Sequence, residues 1–287
     1  MSSAETLGRP AAGAWLRLAR ISNTPTVVSN AVAGAILAST AAEAGTVAVV
    51  AVAMALFYTA GMILNDVCDE EIDRRERPER PLPSGDVSRR AAIAAVAGLF
   101  AIGEVLLALE GVEPVLAGLG LVALIVLYDA WHKGNVVSPL LMGGCRALVY
   151  VVAALAVAAT VEAEVWGAAA VLLLYIVGLT QVAKAEGGSV LRAWPYVAVA
   201  VPVVYFVAVS PTEETLALCV ALGAWIAWAL QLLRGRRIGP AVGALIAGVA
   251  LFDAAAVASG GGGAVPIGVC LAAFALTVAL QTKIAGT

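Results

Sequence analysis

The chain of 287 residues contains apolar runs of about 20 residues that recur from one end to the other. A run of this length crosses the hydrocarbon core of a bilayer when it folds as a helix. The composition agrees, since 62% of the residues are hydrophobic and only 13% are charged. The runs lie at 22–40, 45–64, 91–109, 112–131, 139–160, 164–183, 193–209, 213–233, 240–258 and 265–282. We therefore predict an all-α fold, a single polytopic membrane bundle of nine or ten transmembrane helices formed by residues 1–287.

The charged residues predict the orientation of this bundle. With a cytoplasmic N-terminus, all 17 Lys and Arg residues lie on or near the cytoplasmic side, and only Arg146 lies within a span. The opposite connections carry acidic residues alone, namely Glu43, Glu110, Glu113, Glu162, Glu164, Glu213 and Glu214. This distribution favours an even number of crossings in the cell membrane, with both termini cytoplasmic. If the Gly260–Gly263 run instead marks a re-entrant hairpin, the last two runs are half-spans.

Three connections on the cytoplasmic side are candidates for active-site loops. They are the segments 65–90, 128–139 and 184–192, and each carries charged side chains. Because they lie on one membrane face, they can converge over a single cavity between the helices. Such a cavity suits a substrate with a charged head and a long apolar tail.

The densest charge follows directly on the second apolar run, in the segment Asn65–Gly85. If the helix continues to Asp73, the side chains at 65, 66, 69 and 73 fall on one face, within about 100° of arc. One interpretation is a solvated acidic helix end between two spans. The other is a site for Mg²⁺ and phosphate, because an amide oxygen shares this face with the carboxylates and several arginines follow at once. We favour the second interpretation.

This segment resembles the first aspartate motif of the UbiA superfamily of intramembrane prenyltransferases. The residues are Asn65-Asp66-x-x-Asp69-x-x-x-Asp73, followed by Arg77-Pro78-x-Arg80-Pro81-Leu82-Pro83-Ser84-Gly85. The longer form is similar to a branch with chlorophyll synthases, archaeal lipid-forming geranylgeranyl transferases and EboC-like proteins. Further similarity lies in Leu16–Arg20 with Asn23, in Tyr128–Trp131 with Lys133, and in Gly143–Arg146. The resemblance covers about two thirds of the chain and implies a UbiA-like fold, which usually has nine spans.

Candidate site residues come from the residue pattern and from this resemblance. The expected Mg²⁺ ligands, directly or through water, are Asn65, Asp66, Asp69 and Asp73. The residues expected to be catalytic are Asp69, Asp73, Lys133 and Lys184. The residues expected to bind substrate are Asn23, Arg77, Arg80, Tyr128, Arg146 and Glu186. Arg77 and Arg80 have an alternative role, since they can pair with Glu76 and Glu79 and hold the loop.

The sequence departs from the family pattern after helix six, where a second aspartate motif is normally found. The stretch Gln181–Gly188 contains no aspartate, and Glu186 is its only carboxylate. In one interpretation Lys184 supplies the positive charge of a second metal ion. In the other, the donor has a different phosphate head, or an isoprenoid lipid binds without being ionised. Similarity to EboC-like proteins suggests a specialised acceptor, such as a polyol or cyclitol, but the acceptor class stays open.

These observations predict an Mg²⁺-dependent membrane prenyltransferase that moves an isoprenoid chain from a prenyl (di)phosphate to a small acceptor. The alternatives are a terpene cyclase and a carrier that binds isoprenoid lipids without chemistry. We expect membrane lipids as neighbours and no nucleic-acid partner, and we leave homo-oligomer formation open. The four cysteines and the one histidine are scattered, so they indicate neither a zinc site nor a disulfide framework. The intramembrane acids Glu104 and Asp253 are interpreted as structural.

Overall fold

The computed structural model describes residues 12–184 and 194–283, and the described parts contain eleven α-helices and no strand. The helices are α1 (Ala12–Leu18), α2 (Pro25–Ala38), α3 (Ala44–Glu76), α4 (Arg89–Ala108), α5 (Val112–Trp131), α6 (Ser138–Val157), α7 (Ala163–Lys184), α8 (Trp194–Val209), α9 (Glu213–Arg234), α10 (Ile238–Ser259) and α11 (Ala264–Gln281). A single 3₁₀ turn, Ile21–Asn23, joins α1 to α2. The predicted all-α fold is confirmed.

Each of the ten apolar runs forms one helix, and eight of the ten are long and apolar enough to cross a membrane. The two shorter ones are α2, with 14 residues, and α8, with 16 residues. At 1.5 Å per residue they measure about 21 and 24 Å, less than the thickness of a hydrocarbon core. The last two helices, α10 and α11, have 22 and 18 residues, so neither is a half-span. The protein is a multi-pass membrane protein.

Helix α3 is the longest, with 33 residues and a length of about 50 Å. It therefore extends beyond a hydrocarbon core by several turns, and these turns carry the acidic residues that follow Leu64. The helix ends at Glu76 because Arg77 precedes Pro78, and the proline ring disfavours the helical conformation of the residue before it. The helix thus includes Asp73, which is the condition under which the side chains at 65, 66, 69 and 73 share a face.

The connection between α3 and α4 is packed against the bundle rather than free in solvent. The side chains of Leu82 and Val87 are buried in a cluster with Leu18 of α1, Ile63 of α3 and Ala92 of α4. Ser88 caps α4, since its side chain accepts a hydrogen bond from the backbone N–H of Ala91. These contacts hold the connection over the end of α3, which places its arginines next to the acidic residues.

Helices α2 and α10 form the centre of the bundle. Residues 247–258 of α10 are all buried, and α2 packs against α3, α6, α10 and α11. The contact between α2 and α6 depends on Gly34, where an added Cβ would lie 2.6 Å from the carbonyl oxygen of Tyr150. Glycine thus permits backbone-to-backbone packing that no larger residue allows. This close approach brings polar side chains of α2 next to those of α6.

Candidate active site

A cavity of about 990 Å³ opens between the helices at the end where α3 carries its acidic residues. Polar and charged side chains, among them Arg20, Asp66 and Arg80, line it near this end. The remaining walls are mainly apolar, with side chains such as Phe57, Leu121 and Val249. The cavity therefore offers a charged compartment and an apolar one within the same space.

The four predicted side chains of α3, at positions 65, 66, 69 and 73, lie on one buried face, the acidic face, as their spacing predicts. The exposed fractions of Asn65, Asp66, Asp69 and Asp73 are 8%, 5%, 7% and 4%. Burial of several carboxylates is unfavourable unless each has a partner. The structure supplies one for each of the three aspartates.

Two arginines neutralise the first and the last carboxylate of this face, Asp66 and Asp73. Arg20 Nη2 lies 3.0 Å from Asp66, and Arg80 Nη1 lies 3.3 Å from the same oxygen atom. Arg80 Nη1 also lies 2.7 Å from Asp73, so one guanidinium group joins two turns of α3. Arg80 pairs with the acidic face itself, and not with Glu76 or Glu79 as the alternative interpretation had it.

The middle carboxylate, Asp69, pairs with the segment that follows α5. Lys133 Nζ lies 3.2 Å from Asp69 Oδ2, and His132 Nε2 lies 3.5 Å from the same atom. The other ring nitrogen of His132 lies 3.2 Å from the carbonyl oxygen of Asp129, and the ring stacks on Tyr128. The hydrogen bond that His132 donates to Asp69 raises the pKa of His132 above its ordinary value, and partial burial opposes this rise.

Asn65 links α3 to α5 through a different carboxylate. Its Nδ2 atom donates a hydrogen bond of 3.1 Å to Oδ1 of Asp129, while its Oδ1 atom accepts one of 3.4 Å from Arg20. Asp129 is 4% exposed and lines the cavity. Its second oxygen atom, Oδ2, is buried and has no hydrogen-bond partner among the described residues.

Arg146 lies deeper in the cavity wall, where it contacts Tyr58 of α3. Tyr58 precedes Asn65 and Asp66 by seven and eight residues, which is about 10–12 Å along the helix. Its guanidinium group is 5.5 Å from the centre of the Tyr58 ring and donates to Asn30 at 2.8 Å and to Thr26 at 3.1 Å. All three partners are neutral. No carboxylate of the described residues lies within ion-pair distance of this arginine, so a fixed positive charge faces the cavity.

Buried Asp253 of α10 holds the partners of Arg146 in place. It accepts hydrogen bonds from Asn30, Ser29 and Tyr150. Because Asn30 bonds to both Asp253 and Arg146, the carboxylate acts on the arginine through one amide group. The interpretation of Asp253 as a structural residue agrees with this network. The carboxylate oxygens of Glu104, in contrast, are buried without a partner in the described residues.

The remaining predicted residues are not all at the cavity. Asn23 and Arg77 line it, and Asn23 accepts a hydrogen bond of 3.0 Å from Gln281 of α11. Lys184 is exposed, and its ammonium group donates to Ser138 at 2.9 Å, at the start of α6. Glu186 lies outside the described residues.

Three residues at the site were not predicted from the sequence: Arg20, Asp129 and His132. Arg20 has a left-handed backbone conformation with a φ of 44°, which is rare for a residue with a side chain and directs it toward α3. His132 is the only histidine of the chain and directly precedes Lys133, a predicted site residue, and this position could have indicated it. Asp129 follows Tyr128 directly, but nothing in its local sequence indicates burial.

The donor atoms of the acidic face fit a hard divalent cation. Mg²⁺ takes oxygen ligands and is commonly bound by one or two carboxylates together with phosphate oxygens and water. The four side chains of the face provide carboxylate and amide oxygens. Within the described ranges, no three His, Cys, Asp or Glu side chains are close enough to hold an ion by themselves. The side chains therefore suit a metal that a phosphate ligand helps to hold, and not a closed protein cage.

Curated relatives match this chain over part of their length. A digeranylgeranylglyceryl phosphate synthase of Methanopyrus kandleri is 33% identical over 138 residues, which make up 46% of this chain and 50% of that protein. The enzyme of the same name from Metallosphaera sedula is 48% identical over 58 residues, which make up 20% of each chain. The chain thus aligns with half or less of the length of these two relatives.

Solved structures share the fold over a larger part of the chain. The apo structure of a UbiA homologue from Aeropyrum pernix K1 has a TM-score of 0.70 at 20% identity, over 81% of this chain and 96% of that one. A UbiA homologue from Archaeoglobus fulgidus, bound to GPP and Mg²⁺, has a TM-score of 0.53 at 16% identity, over 94% of this chain and 99% of that one. The sequence profile of the UbiA prenyltransferase family matches residues 27–186, more than half of the chain. By this match, the chain belongs to the UbiA prenyltransferase family.

Proposed function

We propose that this protein is an Mg²⁺-dependent intramembrane prenyltransferase, which moves an isoprenoid chain from a prenyl diphosphate to a small acceptor. The observation that carries the proposal is the cavity, whose charged end suits a diphosphate and whose apolar walls suit a hydrocarbon tail. A UbiA homologue with the same fold binds GPP and Mg²⁺, which supports a donor of this class. The whole chain, 1–287, acts as one domain.

In prenyl transfer, the bond between the allylic carbon and the diphosphate oxygen breaks, and the acceptor nucleophile forms a new bond to that carbon. Mg²⁺, when bound, neutralises the charge that develops on the leaving diphosphate. Asp66, Asp69 and Asp73 would hold the metal, and Asn65 would complete the set with its amide oxygen. Arg20, Arg80 and Lys133 pair with these carboxylates in the metal-free protein, so a bound metal ion would take their place.

The basic side chains that a metal would displace are well placed for the phosphate groups. Arg80 lines the cavity and Lys133 lies beside Asp69, so both side chains could bind diphosphate oxygens and stabilise the leaving group. Arg77 also lines the cavity and could contribute in the same way. Tyr128 contacts the head group or the allylic carbon at the same depth. The segments 65–90 and 128–139 form the rim. Lys184, at the end of α7, and Glu186, outside the described residues, are further candidates for contact with the donor.

Arg146 and Asn23 belong to the acceptor side of the cavity. A guanidinium group without an anionic partner, fixed in the wall of an apolar cavity, favours a ligand that brings a negative charge. The curated relatives are named synthases of digeranylgeranylglyceryl phosphate, and a phosphate-bearing acceptor would suit this arginine. The charged end of the cavity faces the cytoplasm, because all Lys and Arg residues gather on that side.

The test uses the purified protein in nanodiscs with Mg²⁺, geranylgeranyl diphosphate and a lipid extract as the source of acceptor. Mass spectrometry follows new prenylated lipids, and a phosphate assay follows released diphosphate. Asp69→Ala removes a proposed metal ligand, and Glu71→Ala is the matched control, because Glu71 is an exposed acid two residues away on the outer face of α3.

We expect a new lipid that forms only with Mg²⁺, is lost in Asp69→Ala and persists in Glu71→Ala. Release of diphosphate with a cyclic hydrocarbon would overturn transfer in favour of cyclisation. A donor that binds but returns unchanged with every chain length and extract would overturn the enzyme in favour of a carrier.

A further inference from the structure

Asp129 of α5 differs from the three buried aspartates of the acidic face of α3. Asp66, Asp69 and Asp73 each have a basic side chain within 3.2 Å. Asp129 has no basic side chain within ion-pair distance among the described residues, although only 4% of its surface is exposed. A buried carboxylate without a cation is strongly disfavoured, so this position calls for one.

The geometry of Asp129 leaves one oxygen atom for a ligand. Oδ1 accepts the hydrogen bond from Asn65 Nδ2 at 3.1 Å, which fixes the plane of the carboxylate. Oδ2 is buried and has no partner in the described parts of the chain, and the residue lines the cavity. The hydrogen bond from Asn65 resembles the way in which outer-shell groups orient a metal-ligating side chain.

The neighbouring cations are engaged elsewhere. Arg20 donates to Asn65 and Asp66, and His132 points its Nε2 atom at Asp69 while its other nitrogen contacts the backbone carbonyl of Asp129. None of these groups is paired with the Asp129 carboxylate. A cation from outside the chain can reach Oδ2 from the cavity, with the acidic face of α3 on the adjacent side.

We propose that Asp129 is a metal ligand, whose Oδ2 atom binds a divalent cation together with phosphate oxygens of the donor, between α3 and α5. Asn65 positions this carboxylate through its amide nitrogen. Mg²⁺ needs only one or two carboxylates when phosphate and water complete its shell, so Asp129 can serve although the described parts of the chain hold no ready-made cluster of three ligands. The inference rests on the proposed function, since it assigns a further ligand within the same site.

The test measures metal binding rather than product formation. Mn²⁺ replaces Mg²⁺ as a paramagnetic probe, and electron paramagnetic resonance counts free Mn²⁺ during titration of the purified full-length protein with inorganic pyrophosphate present. A titration with the same pyrophosphate and no protein is subtracted, because pyrophosphate binds Mn²⁺ by itself. The variant is Asp129→Asn, whose amide oxygen can still accept the hydrogen bond from Asn65. Glu104→Gln is the matched control, because it removes another partly buried carboxylate without a partner, outside the cavity lining.

We expect Asp129→Asn to weaken Mn²⁺ binding by about tenfold or more, and Glu104→Gln to leave it unchanged. Asp129→Glu, which restores a carboxylate, should recover part of the affinity. Thermal unfolding without metal checks the fold: loss of an unpaired buried charge should leave the midpoint of Asp129→Asn equal to or above that of the wild type. A variant that unfolds earlier but binds Mn²⁺ normally would assign Asp129 a purely structural role and overturn the proposal.

Two further outcomes separate this inference from the proposed function. If wild type binds Mn²⁺ through Asp69 and Asp129→Asn binds it equally well, the metal role of Asp129 is wrong and the prenyltransferase proposal stands. If wild type binds no Mn²⁺ even with pyrophosphate, both proposals are wrong.

Discussion

The Nη1 atom of Arg80 lies 2.7 Å from the carboxylate of Asp73, and it reaches Asp66 on the same side at 3.3 Å. A single guanidinium group thereby occupies the space between two carboxylates that are two turns apart on α3. Its positive charge stabilises the acidic face of the metal-free protein. The same position suits a divalent cation, so Arg80 and the metal compete for these two side chains.

This competition predicts opposite effects of Arg80→Ala with and without Mg²⁺. Without metal, the variant should lose about 1–3 kcal/mol of unfolding free energy, because a buried carboxylate is left without its partner. Saturating Mg²⁺ should raise the thermal midpoint of the variant more than that of the wild type. Arg75→Ala is the control, since the Arg75 and Glu71 side chains are 79% and 86% exposed and such a pair contributes little. Equal Mg²⁺ shifts in Arg80→Ala and wild type would contradict the competition.

The contact between His132 and Asp69 can be followed through the titration of the His132 imidazole. The pKa of His132 is raised chiefly by the hydrogen bond to Asp69, so Asp69→Asn should lower it toward the ordinary value of about 6.5. Because the folded pKa is above the unfolded one, this contact stabilises the fold fully below about pH 6.5, and the gain is lost as the pH rises through the folded pKa. The chain has one histidine, so NMR of a protein without a histidine tag gives a single imidazole titration.

Exposed Asp86 offers the control for this titration. It pairs with Arg17 at the surface, and Asp86→Asn should leave the imidazole titration curve where it is in the wild type. A curve that stays in place in Asp69→Asn would show that Asp69 and His132 are not in contact in the membrane.

The acidic face of α3 was predictable because it depends only on local helix geometry. Residues three and four apart share a face in any continuous helix, and no glycine or proline interrupts the stretch before Pro78. Arg20 and Asp129 were not predictable, because they reach Asp66 and Asn65 across 46 and 64 residues of sequence. Such contacts are set by how distant helices pack, and hydropathy records only that a helix is apolar.

The helix bounds show a related limit. The first apolar run was predicted at 22–40, whereas α2 is Pro25–Ala38. Pro25 begins the helix because its fixed φ suits the first turn, and the residues before it form a 3₁₀ turn. Hydropathy does not distinguish these turns from helix. Lys184, predicted in a loop, is the last residue of α7, and its ammonium group donates to Ser138 at the start of α6.

The proposed orientation predicts from which side of the membrane a reagent reaches Cys68. This thiol is exposed near the charged end of the cavity, whereas Cys145 is partly buried and the other two cysteines are buried. A membrane-impermeant maleimide should therefore label the wild type in inside-out vesicles and not in intact cells. Labelling of intact cells at Cys68 would reverse the orientation.

A second cysteine position checks the same orientation from the other side. Glu113 is exposed in the first turn of α5, about 27 Å along that helix from its end at Trp131. In a Cys68→Ser background, Glu113→Cys should be labelled in intact cells and protected in sealed inside-out vesicles.

The close approach of α2 and α6 at Gly34 predicts a loss of stability that also reaches the site. In Gly34→Val, the Cβ atom would lie 2.6 Å from the Tyr150 carbonyl oxygen, so the two backbones must separate. Overpacking of this kind costs about 1–3 kcal/mol, and the thermal midpoint should fall accordingly. Gly98→Ala is the matched control, because its Cβ would meet nothing within 4 Å, and it should preserve or slightly raise the midpoint. Thr26 and Asn30 of α2 hold Arg146 of α6, so separation of the two helices should also weaken binding of an anionic acceptor. An unchanged thermal midpoint in Gly34→Val would contradict the close packing at this position.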